Sequence, residues 1–165
     1  MKALIQRVTH ASVVVDGRCV GEIEQGVVAY IGLGHEDTIQ HAKRMIDKIL
    51  GYRIFENTED ENKRGLLDWN VEQAGGGLLL VSQFTLMART QKGRRPDFGD
   101  AMPPDAARAL FAELVDYAKS QYPKVATGEF GADMQVSSTN DAAYQSILGD
   151  VDGRSGRDGP EFRRR

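Results

Sequence analysis

Polar and apolar positions alternate at the start of the chain and then give way to two unbroken apolar runs. Residues 4–8 and 12–15 read as short strands, and Asp16-Gly17 is the tight turn of a hairpin whose return strand is 18–23. After Gln25-Gly26, residues 27–33 are apolar nearly throughout and predict a central strand, so the N-terminal segment predicts an antiparallel meander. The second run, 78–86 (Leu-Leu-Leu-Val-Ser-Gln-Phe-Thr-Leu), opens after three glycines and predicts a strand buried on both faces, changing to Ser, Gln and Thr at its end. Two stretches carry a helical period instead. In the first, Asp37 is the expected N-cap with Gln40 completing a capping box; Ile39, Ala42, Ile46, Ile49 and Leu50 share a face, and Gly51 ends the helix. The second begins at Pro103-Pro104, with Ala107, Leu110, Phe111, Leu114, Ala118 and Tyr122 as its stripe.

Between and after these helices, 52–55 predicts a short strand, 56–64 a polar loop, and 66–71 an irregular stretch with a short strand. Residues 125–130 and 134–138 predict two more strands. The sum is an α+β domain over 1–148, an antiparallel or mixed, barrel-like sheet packed with two main helices. Residues 149–165 are rich in glycine and charge, lack an apolar period, and predict a disordered tail.

Composition narrows the function classes. A length of 165 residues suits one domain with a real core, and a net charge of −3 argues against a surface coated for nucleic acid. The basic loop Lys92-Gly93-Arg94-Arg95 is nevertheless a local patch that suits phosphate. A single cysteine, Cys19, excludes an internal disulfide, and the N-terminus becomes polar too early for a signal peptide. A soluble, cytoplasmic protein without a membrane segment is expected.

Most chemistries find no constellation. His10, His35 and His41 make no ligand pair at familiar spacing, and no metal site or cofactor is expected. There is no G-x-S-x-G elbow and no phosphate loop, and Gly32-Leu33-Gly34 lacks the rest of a dinucleotide fingerprint. Asp133 and Asp141 have no spacing that pairs them. What remains is Ser82, Gln83, Phe84 and Thr85. A threonine hydroxyl without a base is a weak nucleophile. Backbone N–H groups with the Thr85 hydroxyl would instead hold a carbonyl and its oxyanion, leaving the base to come from elsewhere, such as the substrate. These residues are equally compatible with a buried strand whose Ser, Gln and Thr merely satisfy their neighbours.

Ser82-Gln83-Phe84-Thr85-Leu86 followed by Lys92-Gly93-Arg94-Arg95-Pro96 resembles the D-aminoacyl-tRNA deacylase family. So do the opening residues 3–8 with 11–13, Arg53-Ile54-Phe55, and the segment 127–136; the likeness runs in order to about residue 141. The resemblance implies a cofactor-free homodimer that hydrolyses the ester joining a D-amino acid, or glycine, to the terminal adenosine of tRNA. It places the aminoacyl end on Ser82, Gln83, Phe84 and Thr85. Thr85 is there either a nucleophile or a bystander to hydrolysis assisted by the tRNA's own 2′-OH, and the missing base favours the second. Lys92, Arg94 and Arg95 would meet acceptor-stem phosphates.

The chain departs from the family where Asn140-Asp141 is followed by Ala142-Ala143. The family has Gly-Pro there, a dipeptide that reaches into the partner's site and crowds L-substrates, and then an apolar closing strand. Alanine does not favour φ > 0, so the gate and the strand are both expected to be lost, although Arg7, which supports the gate in the family, is retained. Two rival readings stay open: an inactive or weakly active tRNA- or nucleotide-binding module of the same fold, and a small-ester hydrolase using Thr85 directly.

Overall fold

The chain first reverses at Asp16 and Gly17, whose φ values of 49° and 76° are those of a two-residue hairpin turn. The computed structural model describes residues 1–91 and 93–149; Lys92 and the expected tail from residue 150 lie outside the described residues. Before the turn stands β1 (Lys2–Val15), after it β2 (Arg18–Ile23) and β3 (Gly26–Gly32). Then come α1 (Ile39–Gly51), the small pair β4 (Phe55–Glu56) and β5 (Leu67–Trp69), and β6 (Gly77–Ser82). The chain continues with α2 (Pro104–Gln121), β7 (Val125–Thr127) and β8 (Gln135–Leu148).

The expected architecture is the one formed: a mixed sheet curled toward a barrel, two main helices, one domain. Three local expectations are corrected. Residues 4–8 and 12–15 are one strand, β1, not two. The segment is also no meander, because β3 pairs with the N-terminal half of β1, and β2 with its C-terminal half. At α1, Thr38 rather than Asp37 is the cap, with its N–H donating to His41 Nδ1 at 3.1 Å. Asp37 is occupied elsewhere: its carboxylate takes the Gly34 N–H at 2.6 Å and the Met1 ammonium at 2.7 Å.

Two cores explain the patterns. Against the helices lie Ala3, Ile5, Val27, Ala29, Ile31, Leu78 and Leu80, facing Ala42, Met45, Ile46 and Ile49 of α1 and Leu110, Phe111, Leu114 and Ala118 of α2. Inside the curl lie Val8, Ala11, Val13, Val15, Val28, Leu79 and Val81. β3 and β6 alternate between the two cores, so both of their faces are buried, as their unbroken apolar runs require. β1 changes core midway. Its inward residues are Ala3 and Ile5 toward the helices, then Val8 onward into the curl, and its register with β8 breaks on either side of Val8. The curl closes where β2 approaches β7, so tightly that a Cβ at Gly21 would lie 2.4 Å from the Thr127 carbonyl oxygen.

The closing strand expected to be lost is present. β8 pairs antiparallel with β1 from Val14↔Gln135 to Ala3↔Leu148. Residues 145–148 keep the pairing because backbone ladders need no particular side chain, and Leu148 supplies their one buried anchor.

Candidate functional site

β3, β6 and β7 run parallel, and beyond the carboxyl ends of parallel strands is where such sheets hold ligands. A cavity of about 660 Å³ opens there. Ile31, Val81, Ser82, Gln83 and Phe84 line it from the strand ends, Phe130 to Met134 from the segment after β7, residues 101–103 from the approach to α2, and Pro104 with Ala107 from its first turn.

The expected strand over 78–86 ends at Ser82, and Phe84–Met87 is a 3₁₀ turn. The parallel ladder continues for one more bond, Gln83 N–H to the Ile31 carbonyl at 2.7 Å, and then its partner strand stops at Gly32. The turn packs directly over that glycine: a Cβ there would lie 2.9 Å from Leu86 Cβ and 3.1 Å from the Gln83 carbonyl oxygen. Leu86 and Ala88 donate their N–H groups back to the Gln83 and Thr85 carbonyls. Phe84 and Thr85 open the turn, so their N–H groups have no acceptor within it. Among the described residues they donate to no backbone carbonyl beyond it either.

Ser82, Gln83 and Phe84 therefore line the cavity together, while Thr85 follows in the turn without lining it. Phe84 is 59% exposed and meets Phe98 edge-on, ring centroids 5.0 Å apart. The Gln83 side-chain amide donates to the Thr85 hydroxyl oxygen. An amide N–H is a donor, so this contact does not make Thr85 a stronger nucleophile. The one ionisable side chain among the lining residues is Asp133.

Arg108 is a positioning residue that no spacing in the sequence signals. It donates to the Phe130 carbonyl at 3.1 Å and stacks 5.0 Å above the Phe130 ring, holding the segment after β7 against α2. Phe98 is likewise visible only through the fold.

The basic residues stand on a loop that Arg89 closes. Its N–H and carbonyl pair with Asp97, and its guanidinium grips Asp100, with Nε to Oδ2 at 2.7 Å. That hydrogen bond, and then the charge of Arg89, hold the Asp100 carboxyl below the usual carboxylate range. Arg94 and Arg95 are exposed. Neither has a hydrogen bond or ion pair among the described residues.

Arg7, Ala142 and Ala143 gather away from this cavity, and none of them lines it. Val8 pairs with Asn140 and Gln6 with Gln145, so Arg7 alone faces residues 141–144, a bulge of β8. Ala142 and Ala143 have φ of 51° and 52°, against the expectation that alanine would avoid that region. Arg7 supplies the reason. Its guanidinium, 12% exposed, donates to the Ile54 carbonyl at 2.6 Å, sits 3.0 Å from Asp141 Oδ2 and lies 5.6 Å from the Tyr144 ring centroid. Burial is the main cause that raises the Tyr144 phenol above its ordinary value.

Residues 4–148 match the model of the D-Tyr-tRNA(Tyr) deacylase family, which extends the likeness beyond residue 141 and through the bulge. The chain is 69% identical over 148 residues to a D-aminoacyl-tRNA deacylase of Psychrobacter cryohalolentis, covering 90% of this chain and 98% of that one. It is 57% identical over 141 residues to a D-aminoacyl-tRNA deacylase of Acinetobacter baumannii, covering 86% and 92%. Among solved structures it resembles a c-Myc DNA unwinding element binding protein, with a TM-score of 0.83, 36% identity and coverage of 91% and 99%. A probable eukaryotic D-amino acid tRNA deacylase shares the fold, with a TM-score of 0.76 at 15% identity and coverage of 89% and 97%. The chain belongs to the D-Tyr-tRNA(Tyr) deacylase family.

Proposed function

We propose that residues 1–148 form a catalytic domain that hydrolyses the ester of D-aminoacyl-tRNA, and of glycyl-tRNA, releasing the amino acid and tRNA as a proofreading step in the cytoplasm. The observation that carries the reading is a pair of N–H groups that donate to no backbone carbonyl among the described residues, one on Phe84, which lines a cavity beyond three parallel strand ends, and one on Thr85, which follows it in the turn. The terminal adenosine occupies the cavity, with the exposed Phe84 ring offering it a face. The ester carbonyl lies against the two N–H groups. Water attacks the carbonyl carbon and the oxygen takes up negative charge, stabilised by about 2.7–4 kcal/mol per donor. The ribose 2′-OH beside the ester takes up the attacking water's proton as it passes its own to the departing 3′-oxygen, so it ends unchanged and supplies the acid–base group that the cavity's side chains do not. Lys92, Arg94 and Arg95 hold acceptor-stem phosphates, and the enzyme works as a homodimer.

Matched D- and L-tyrosyl-tRNA, with a D-tyrosyl-tRNA ending in 2′-deoxyadenosine, test this. The D-ester is cleaved and the deoxy substrate persists; cleavage of both at equal rates would remove the substrate's hydroxyl from the mechanism. Thr85→Ala lowers turnover, whereas His10→Ala, remote and paired with Glu22 at 2.8 Å, does not. Alanine at 142 and 143, where the resemblance leads one to expect Gly-Pro, favours weakened rejection of L-substrates. The same change also favours a competing reading, a module that binds tRNA without turnover. Binding of all three substrates with cleavage of none would establish it.

A further inference from the structure

A second cavity, of about 630 Å³, lies across the Phe84–Met87 turn from the first. Three stretches of chain pass from one to the other. Leu33 lines the first and Gly34 with His35 the second; Phe84 the first and Met87 the second; Phe98 the first and Gly99 with Asp100 the second. The shortest of the three that is a defined element is the four-residue turn Phe84–Met87, at about 2 Å of rise per residue. A ligand in the first cavity has its neighbour within the reach of one nucleotide.

The linings differ in kind. Aromatic and aliphatic residues dominate the first, and charged and polar residues the second. Much of that charge is already committed: Asp37 to the Met1 ammonium, Arg89 to Asp100, and His41 Nδ1 to the Thr38 N–H. Lys2, Glu36 and Gln91 line the cavity and are exposed, and their side chains have no hydrogen bond or ion pair among the described residues, although the Lys2 charge also acts on the Asp100 carboxylate. His35 Nε2 lies 2.9 Å from the Gly99 carbonyl oxygen. A carbonyl only accepts, so Nε2 carries the proton and Nδ1 of the neutral ring offers a lone pair. A cation, a carboxylate, an amide and an imidazole acceptor together complement a base whose edge holds both an amino group and acceptors, with a phosphate attached. Carboxylates accept from the cytosine N4 amino group, and uracil presents an acceptor at that position. The volume falls in the range of small-ligand sites.

We propose that this cavity binds the nucleotide immediately 5′ of the terminal adenosine, the cytidine that precedes it in tRNA. Glu36 accepts from its amino group, and Lys2 pairs with the linking phosphate. Gln91, on the near end of the basic loop, hands the strand on to Arg94 and Arg95. The inference rests on the deacylase reading and names a part of the same substrate site.

Four non-hydrolysable probes test it by calorimetric titration of the full chain. They are the D-tyrosyl amide of 3′-amino-3′-deoxyadenosine, its 5′-phosphate, and its extensions by 5′-cytidine and by 5′-uridine. The cytidine probe binds about tenfold tighter than the 5′-phosphate probe and more tightly than the uridine probe. Glu36→Ala erases the difference between cytidine and uridine, and Lys2→Ala shrinks the gain from the phosphate; both residues are exposed, so the fold survives. Equal affinities for the 5′-phosphate and cytidine probes overturn the subsite, as does a cytidine preference that persists in Glu36→Ala. In both cases the adenosine probe still binds and the deacylase reading stands. Failure of every probe to bind sinks that reading and the subsite with it.

Discussion

At Ser82 the chain leaves β6 into the Phe84–Met87 turn, and at Asp141 it leaves register with β1 into a bulge of β8; the two departures are held in opposite ways. The turn is backbone work. Its bonds run from N–H groups to carbonyls, and its packing needs a missing side chain at Gly32. The bulge is side-chain work, since one guanidinium holds Ile54, Asp141 and Tyr144 around two alanines in a left-handed conformation. A turn built from backbone tolerates side-chain change and keeps its donors aimed. A bulge that depends on one arginine is a place where the sequence can drift and the shape can still be retained.

Breaking the arginine is the largest expected effect. Arg7→Ala leaves the Ile54 carbonyl and the Asp141 carboxylate without their partner and destabilises the fold by about 2–3 kcal/mol, discounted because Asp141 is partly exposed. Urea unfolding reads it, and an unchanged midpoint would mean that the bulge stands without Arg7. Gly32→Ala attacks the turn instead. The added methyl meets Leu86 and the Gln83 carbonyl, costs about 1–3 kcal/mol and lowers deacylation beyond what stability explains. If turnover per folded molecule survives, the position of the turn does not matter to the chemistry. Ala142→Gly and Ala143→Gly go the other way, each stabilising by about 0.5–1 kcal/mol because glycine adopts positive φ without strain. A loss of stability at both positions would show the left-handed bulge to be wrong.

The smallest effect concerns the basic loop. The Asp100 carboxyl is depressed in the folded state by Arg89. Its contribution is therefore fully present above the unfolded value of about 3.9 and is lost as pH falls through the lower folded value. Loop order and RNA binding should stay flat from about pH 5 upward, and Asp100→Asn should lower RNA affinity with no new pH dependence in that range. A titration near neutrality would assign the loop's control to another group.

Local rules were enough for much of the molecule. The hairpin at Asp16-Gly17, both helices and their buried stripes, and the strands at 27 and 78 follow from turn chemistry and periodicity, which act between near neighbours. The residues Ser82, Gln83 and Phe84 were legible as a group because polar side chains at the end of an apolar run must be paired or aimed. Tertiary structure decided what depends on distant partners. β1 is one strand, although its pattern breaks between residues 8 and 12, because it serves two cores in succession and periodicity assumes one. The strand at 78 stops at Ser82 because β3 ends beside it, and no signal within 78–86 records where a neighbour ends. Arg108 lies 22 residues from the Phe130 carbonyl it holds, and Phe98 reaches the Phe84 ring from beyond the basic loop, a proximity that only folding creates. Ala142 and Ala143 adopt a conformation their own preferences oppose, beside an arginine more than a hundred residues upstream whose guanidinium meets Asp141 and Tyr144 on either side of them.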